Sequence, residues 1–215
     1  MGLFDGNKKT CELCGEKIGL LGGLFTAEEL AGGASICGNC RGKCTPGELN
    51  FKGMTLDDVK ANIAAAEANK KKGATEFKAT QKIKKGAYRD RDFVDIDTNH
   101  GWFMNADEKN GWVYDLDAVY YFNLDLVYAP VEGGSFEVRT EDYPELPKIP
   151  QGVKVTEAKL VIWMKDNELG VDKVTIDAAG YNPDEGEVRG AYAAAHDFFL
   201  AFKDFRASKI PTGKH

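Results

Sequence analysis

The chain has no apolar run of about 18 residues, no cysteine after Cys44 and no histidine before His100. Each absence excludes something. Without the long apolar run, no helix is expected to span a bilayer. Residues 1–6 also lack the basic flank and apolar stretch of a signal peptide. Gly6 stands where an N-myristoylation motif wants Ser or Thr. The expected location is the cytoplasm. The confinement of all five cysteines to the first 44 residues argues against a disulfide-stapled secreted protein, which would spread them across its loops.

The motifs of common catalysts are missing too. There is no Walker loop, dinucleotide fingerprint, nucleophile elbow or His-Glu-x-x-His sequence. His100, His196 and His215 have neither triad nor metal spacing and read as structural or solvated. Asp95 and Asp97 alternate along a strand, which places both on its outer face and not in an acid–base pair. No catalytic residue is assigned, and the chain is not expected to be an enzyme.

What the sequence does contain is a pair of Cys-x-x-Cys knuckles. Cys11-Glu12-Leu13-Cys14-Gly15 and Cys37-Gly38-Asn39-Cys40 are separated by 22 residues. Two sulfurs on one tight turn can reach the same ion, and two such turns supply four thiolates to a tetrahedral zinc. Gly15 suits the turn that follows the first pair. A redox role is disfavoured because no thioredoxin-like βαβ pattern surrounds either knuckle. Catalytic zinc would keep an open position and an acid or base beside it. The expectation is therefore one structural Zn2+ held by Cys11, Cys14, Cys37 and Cys40. Cys44 lies four positions past Cys40 and reads as a small, partly buried neighbour, although it could replace Cys40 as the fourth ligand.

Charge is unevenly distributed. Residues 1–51, 52–91 and 92–215 carry net charges of −1, +6 and −11. The basic segment is either a polyanion-contacting surface or a solvated face that complements the acidic part, and the second reading is preferred.

The periodicity gives a coarse element map. Thr55 caps a helix whose first turn holds Asp57 and Asp58. Leu56, Val59 and Ile63 recur at helical spacing, and Gly73 follows three lysines as a stop. Residues 76–83, 92–97, 102–104 and 119–128 read as strands, with a turn at Asn99, His100 and Gly101. Residues 129–152 read as a long loop with a short strand at 136–138. Segments 158–164 and 171–178 form a hairpin. Asn182-Pro183-Asp184 opens a last helix with an apolar stripe from Val188 to Phe205. The aromatic run Trp102, Phe103, Tyr120, Tyr121 and Phe122 is either a ligand-binding wall or sheet core, and core is the simpler reading.

Residues 1–4, the block 11–22, the second knuckle and the helix ending Glu67-Ala68-Asn69-Lys70 resemble an uncharacterised zinc-ribbon family, domain of unknown function 4428, found mainly in Gram-positive bacteria. The resemblance implies zinc ligation by Cys11, Cys14, Cys37 and Cys40 and implies no activity. The region from residue 76 onward is similar to a bacterial pleckstrin-homology-like (PH-like) fold.

The expected architecture is α+β, with a zinc-ribbon domain (1–50), a connecting helix (51–75) and a PH-like β-domain (76–215). In the last, a bent antiparallel sheet or partial barrel is closed by the C-terminal helix. A zinc module of about 45 residues buries too little surface alone, so metal substitutes for a core. The expected function is a non-enzymatic zinc-binding interaction or adaptor protein whose partner is protein. The alternative is nucleic-acid binding through the ribbon and segment 70–91. Four thiolates around a dication leave excess negative charge, which opposes phosphate contact.

Overall fold

The computed structural model describes residues 9–18, 27–46, 49–85, 91–107, 111–131 and 143–209. The chain divides into two compact units. One comprises residues 1–71 with 168–171, and the other residues 72–167 with 172–215. The class is mixed α+β, as expected.

In the first unit, β1 (Glu28–Glu29) and β2 (Ser35–Ile36) form a short antiparallel pair. The four-residue helix α1 (Gly38–Arg41) follows, and then the long helix α2 (Leu56–Thr75) begins. Thr55 caps α2 as the sequence suggests. Its hydroxyl accepts from Asp58 N–H at 3.2 Å, while the Asp58 carboxylate accepts from Thr55 N–H at 2.8 Å. This reciprocal arrangement satisfies two donors at the helix entry. Ile18, Leu30, Ile36, Phe51 and Val59 pack with Cys11, Cys40 and Cys44 into one small core. The first half of α2 thus contributes to the core that holds the cysteines. Asn62 on α2 and Thr45 exchange hydrogen bonds, both at 3.0 Å, which pins the chain just past the second knuckle.

Gly73 does not stop the helix, which continues to Thr75. A Cβ at Gly73 would lie 2.5 Å from the Gly111 carbonyl oxygen. Glycine is needed there because another backbone passes close by, not because the helix ends.

The second unit holds two antiparallel sheets. β3 (Gln81–Lys84), β4 (Asp92–Asp97), β5 (Trp102–Asn105) and β6 (Tyr114–Asp115) pair in sequence order. β7 (Val119–Pro130), β8 (Val153–Met164) and β9 (Lys173–Ala179) form the other sheet. No closed barrel forms among the described residues. Strand β3 starts later than expected, β6 was not anticipated, β7 runs two residues into the segment read as a loop, and β8 starts at Val153, five residues earlier than expected. The short strand expected at 136–138 lies outside the described residues.

Helix α3 (Glu185–Ser208) packs against β7, β8 and β9 and also touches β3. Asp184 and Glu187 make a full capping box at its start. Val188, Ala191, Tyr192, Ala195, Phe198 and Phe205 of its apolar stripe are buried. Phe198 meets Phe103 and Phe122 edge-on, with centroids 5.8 and 5.2 Å away.

Two sequence expectations are corrected here. Asp97 is not on an outer face; it is fully buried. Strand β4 runs directly into the turn at 98–101, whose backbone N–H groups need an acceptor. Asp97 supplies it, accepting from Asn99 N–H at 3.1 Å and His100 N–H at 3.3 Å, while its other oxygen accepts from Lys78 N–H at 2.9 Å. Asp95 is partly buried, 3.8 Å from Lys82 Nζ, and burial pushes its carboxyl upward. The aromatic run is not uniformly core either. Phe103 is buried, but Tyr120 and Tyr121 are 57% and 54% exposed.

Candidate metal centre

The first knuckle is built by a turn. Gly15 has φ +74°, a left-handed conformation that glycine adopts without steric cost, and its N–H donates to Cys11 C=O at 2.8 Å. An isolated bridge between Thr10 and Lys17 closes the chain on either side. The second knuckle is formed by α1, in which Arg41 N–H donates to Cys37 C=O at 3.0 Å. Arg41 also pairs with Glu28 of β1 at 3.0 Å, tying that knuckle to the small sheet.

These turns bring the four cysteines named above together. The sulfurs of Cys11, Cys14, Cys37 and Cys40 all lie within 4.8 Å of one another, an arrangement that could hold a metal ion. Cys11 Sγ is 3.7 Å from Cys40 Sγ, and Cys14 Sγ is 3.7 Å from Cys37 Sγ. A tetrahedron of thiolates held at about 2.3 Å from a central ion has edges of about 3.8 Å. The sulfur spacing therefore fits a tetrahedral metal–thiolate centre, with two edges already near that length.

Backbone donors surround the site. Cys37 N–H donates to Cys11 Sγ at 3.3 Å. Burial pushes the Cys11 thiol up, but the N–H groups of Cys37, Cys14 and Leu13 outweigh it and bring the thiol down to about 6. Cys40 is pushed well up, first by burial and then by the neighbouring sulfurs. Thiolates this close repel one another, so the apo cluster resists losing all four protons. A cation at the centre would remove that conflict, and metal binding would release the protons.

Cys11 and Cys40 are buried, Cys37 is half-buried and Cys14 is exposed. Cys44 is buried but stands outside the four-sulfur group, with its Sγ 3.8 Å from Cys40 C=O. Gly15 signals a turn whose amides point back at sulfur, as those of Leu13 and Cys14 do at Cys11, whereas the Cys37 amide and the Arg41–Glu28 pair have no such local signal.

The histidines lie elsewhere. His100 is held by Asp97 and stacks on Trp102 with centroids 4.4 Å apart. His196 lies on α3, and His215 is outside the described residues. Among the described residues, no helix is long and apolar enough to cross a membrane. No family model, curated protein or solved structure matches the chain.

Proposed function

We propose that this chain is a non-enzymatic, zinc-stabilised interaction protein in which one structural Zn2+ is held by Cys11, Cys14, Cys37 and Cys40. The four-sulfur geometry carries the reading. Four thiolate donors are the set that zinc takes in closed structural sites, whereas catalytic zinc has three protein ligands and a position left for water or substrate. Bound there, the ion supplies cohesion rather than reactivity. It joins residues 11–14 to residues 37–40 across a core with only a handful of large apolar side chains. Binding free energy at such a site is folding free energy, on the order of 10 kcal/mol or more for structural zinc at neutral pH.

The adaptor role rests on the two-unit layout and on the absence of a catalytic motif in the sequence. The antiparallel strands followed by a C-terminal helix are compatible with the PH-like reading of the second unit. Resemblance to a zinc-ribbon family of unknown function implies no activity.

Nucleic-acid binding through segment 70–91 is the less favoured reading. Lys82 pairs with Asp92 at 2.7 Å and approaches Asp95, and Lys85 pairs with Asp107. Part of the basic charge is therefore neutralised within the fold. A gel-shift titration at low salt separates the readings, because retention of DNA or RNA at micromolar protein favours the alternative. The adaptor reading is tested by using the wild-type chain and Cys37→Ser as paired baits. A protein that binds the purified zinc-loaded chain directly and is lost with Cys37→Ser supports it. Failure of both baits to retain any specific protein removes its support.

A further inference from the structure

A cavity of about 260 Å³ lies between the start of β7 and one face of α3, wholly within the second unit. Tyr120, Tyr121, Phe122, Phe199 and Phe202 supply five aromatic walls, and the polar lining comes from Glu145 and His196. Adjacent strand residues normally point to opposite faces. Here the pairing skips one position: Val119 faces Met164 and Tyr121 faces Trp163, leaving Tyr120 as the extra residue of a bulge. Bulges re-aim side chains and recur beside functional sites. This one puts both tyrosines on the cavity while each stays more than half exposed.

The lining favours positive charge. Aromatic faces are negative, Glu145 is a carboxylate, His196 is the other titratable side chain, and no lysine or arginine lines the cavity among the described residues. His196 Nδ1 is 3.7 Å from Glu145 Oε2, too long for a hydrogen bond, so that oxygen keeps its accepting capacity toward a ligand. Two of the rings already draw cations: Lys203 Nζ lies 5.9 Å from the Phe199 centroid and Arg206 Cζ 5.8 Å from that of Phe202. Residues 92–215 carry a net charge of −11, a field that attracts cations and repels anions.

We propose that this cavity binds a small soluble organic cation with an alkylated ammonium group, its methyl groups against the aromatic rings and its charge balanced by Glu145. Aromatic walls with one carboxylate suit such a head because it is attracted to ring faces and loses little hydration on burial. The volume lies just below the range of about 300–1,000 Å³ typical of small-molecule pockets, which limits the ligand to a compact molecule. This proposal goes beyond the zinc reading and does not rest on it.

The test is a titration of the intact chain at low salt with choline and with 3,3-dimethylbutan-1-ol, its uncharged counterpart of the same shape, followed by tyrosine ring resonances. Choline should saturate, the neutral alcohol should bind about tenfold more weakly, and Glu145→Gln should weaken choline alone by about fivefold to tenfold. Tyr121→Ala, at an exposed ring, should weaken both compounds and serves if Glu145→Gln fails to fold. Equal affinity for the two compounds overturns the cation reading, and so does an unchanged choline affinity in Glu145→Gln. Failure of both to saturate overturns the site itself.

Discussion

Asp97 Oδ2 and His100 Nδ1 lie 2.8 Å apart at the end of β4. The same carboxylate accepts N–H groups from Lys78, Asn99 and His100, so one buried side chain organises the whole turn. Burial alone would raise the Asp97 carboxyl, but the Lys78 amide and the His100 contacts outweigh it and hold it low. A carboxyl lowered in the folded state stabilises fully above its unfolded value of about 3.9, and that contribution is lost as pH falls through the folded value. Asp97→Asn should cost about 3 kcal/mol at neutral pH, because several buried donors lose an anionic acceptor. Urea unfolding at pH 6 and at acidic pH checks this: the variant should lose less stability on acidification than the wild type. An unchanged pH slope would show that Asp97 does not carry the effect.

Gly73→Ala separates helix propensity from packing. Ala is favoured over Gly inside a helix by about 1 kcal/mol. At Gly73, however, the new Cβ meets the Gly111 carbonyl at 2.5 Å, a backbone contact that cannot rotate away. The substitution should lower stability by about 2 kcal/mol, within the range of overpacking. A thermal melt showing a rise would contradict the close approach.

Phe198 and Leu200 stand two residues apart on α3 with opposite expectations. Phe198 is fully buried against Phe103 and Phe122, whereas Leu200 is 42% exposed. Phe198→Ala should cost about 4 kcal/mol. Leu200→Ala should stay within about 0.5 kcal/mol, as for most surface positions. Equal effects in chemical denaturation would mean that the apolar stripe faces the wrong way.

The features legible from sequence are those determined by neighbours along the chain. The Cys-x-x-Cys turns, the Thr55 cap and the Asp184 start of α3 each depend on a few consecutive residues, and their signals are local. The features that were missed depend on distant partners. Asp97 also accepts from Lys78, on a separate segment, and that contact leaves no trace beside the local turn it caps. Gly73 looked like a helix stop because the approach of Gly111 has no local trace. Tyr120 and Tyr121 read as core because they belong to an aromatic run, which carries no sign of a bulge whose cause lies in pairing with β8.

Cys37 and Cys44 give a direct contrast. Cys44 stands outside the sulfur group, so Cys44→Ser should leave metal content unchanged, with at most a small loss of stability. Cys37→Ser removes one of the four proposed donors and should weaken metal retention by at least about tenfold, read by competition with a chromogenic chelator. Metal loss in Cys44→Ser with retention in Cys37→Ser would reassign the fourth ligand.

Metal analysis combined with X-ray absorption on the purified chain reads the closed four-thiolate zinc centre itself. The expected result is about one zinc per chain, with four sulfur neighbours at about 2.3 Å and no nitrogen or oxygen neighbour. A folded first unit that contains no metal and exposes Cys11, Cys14, Cys37 and Cys40 as free thiols would contradict it.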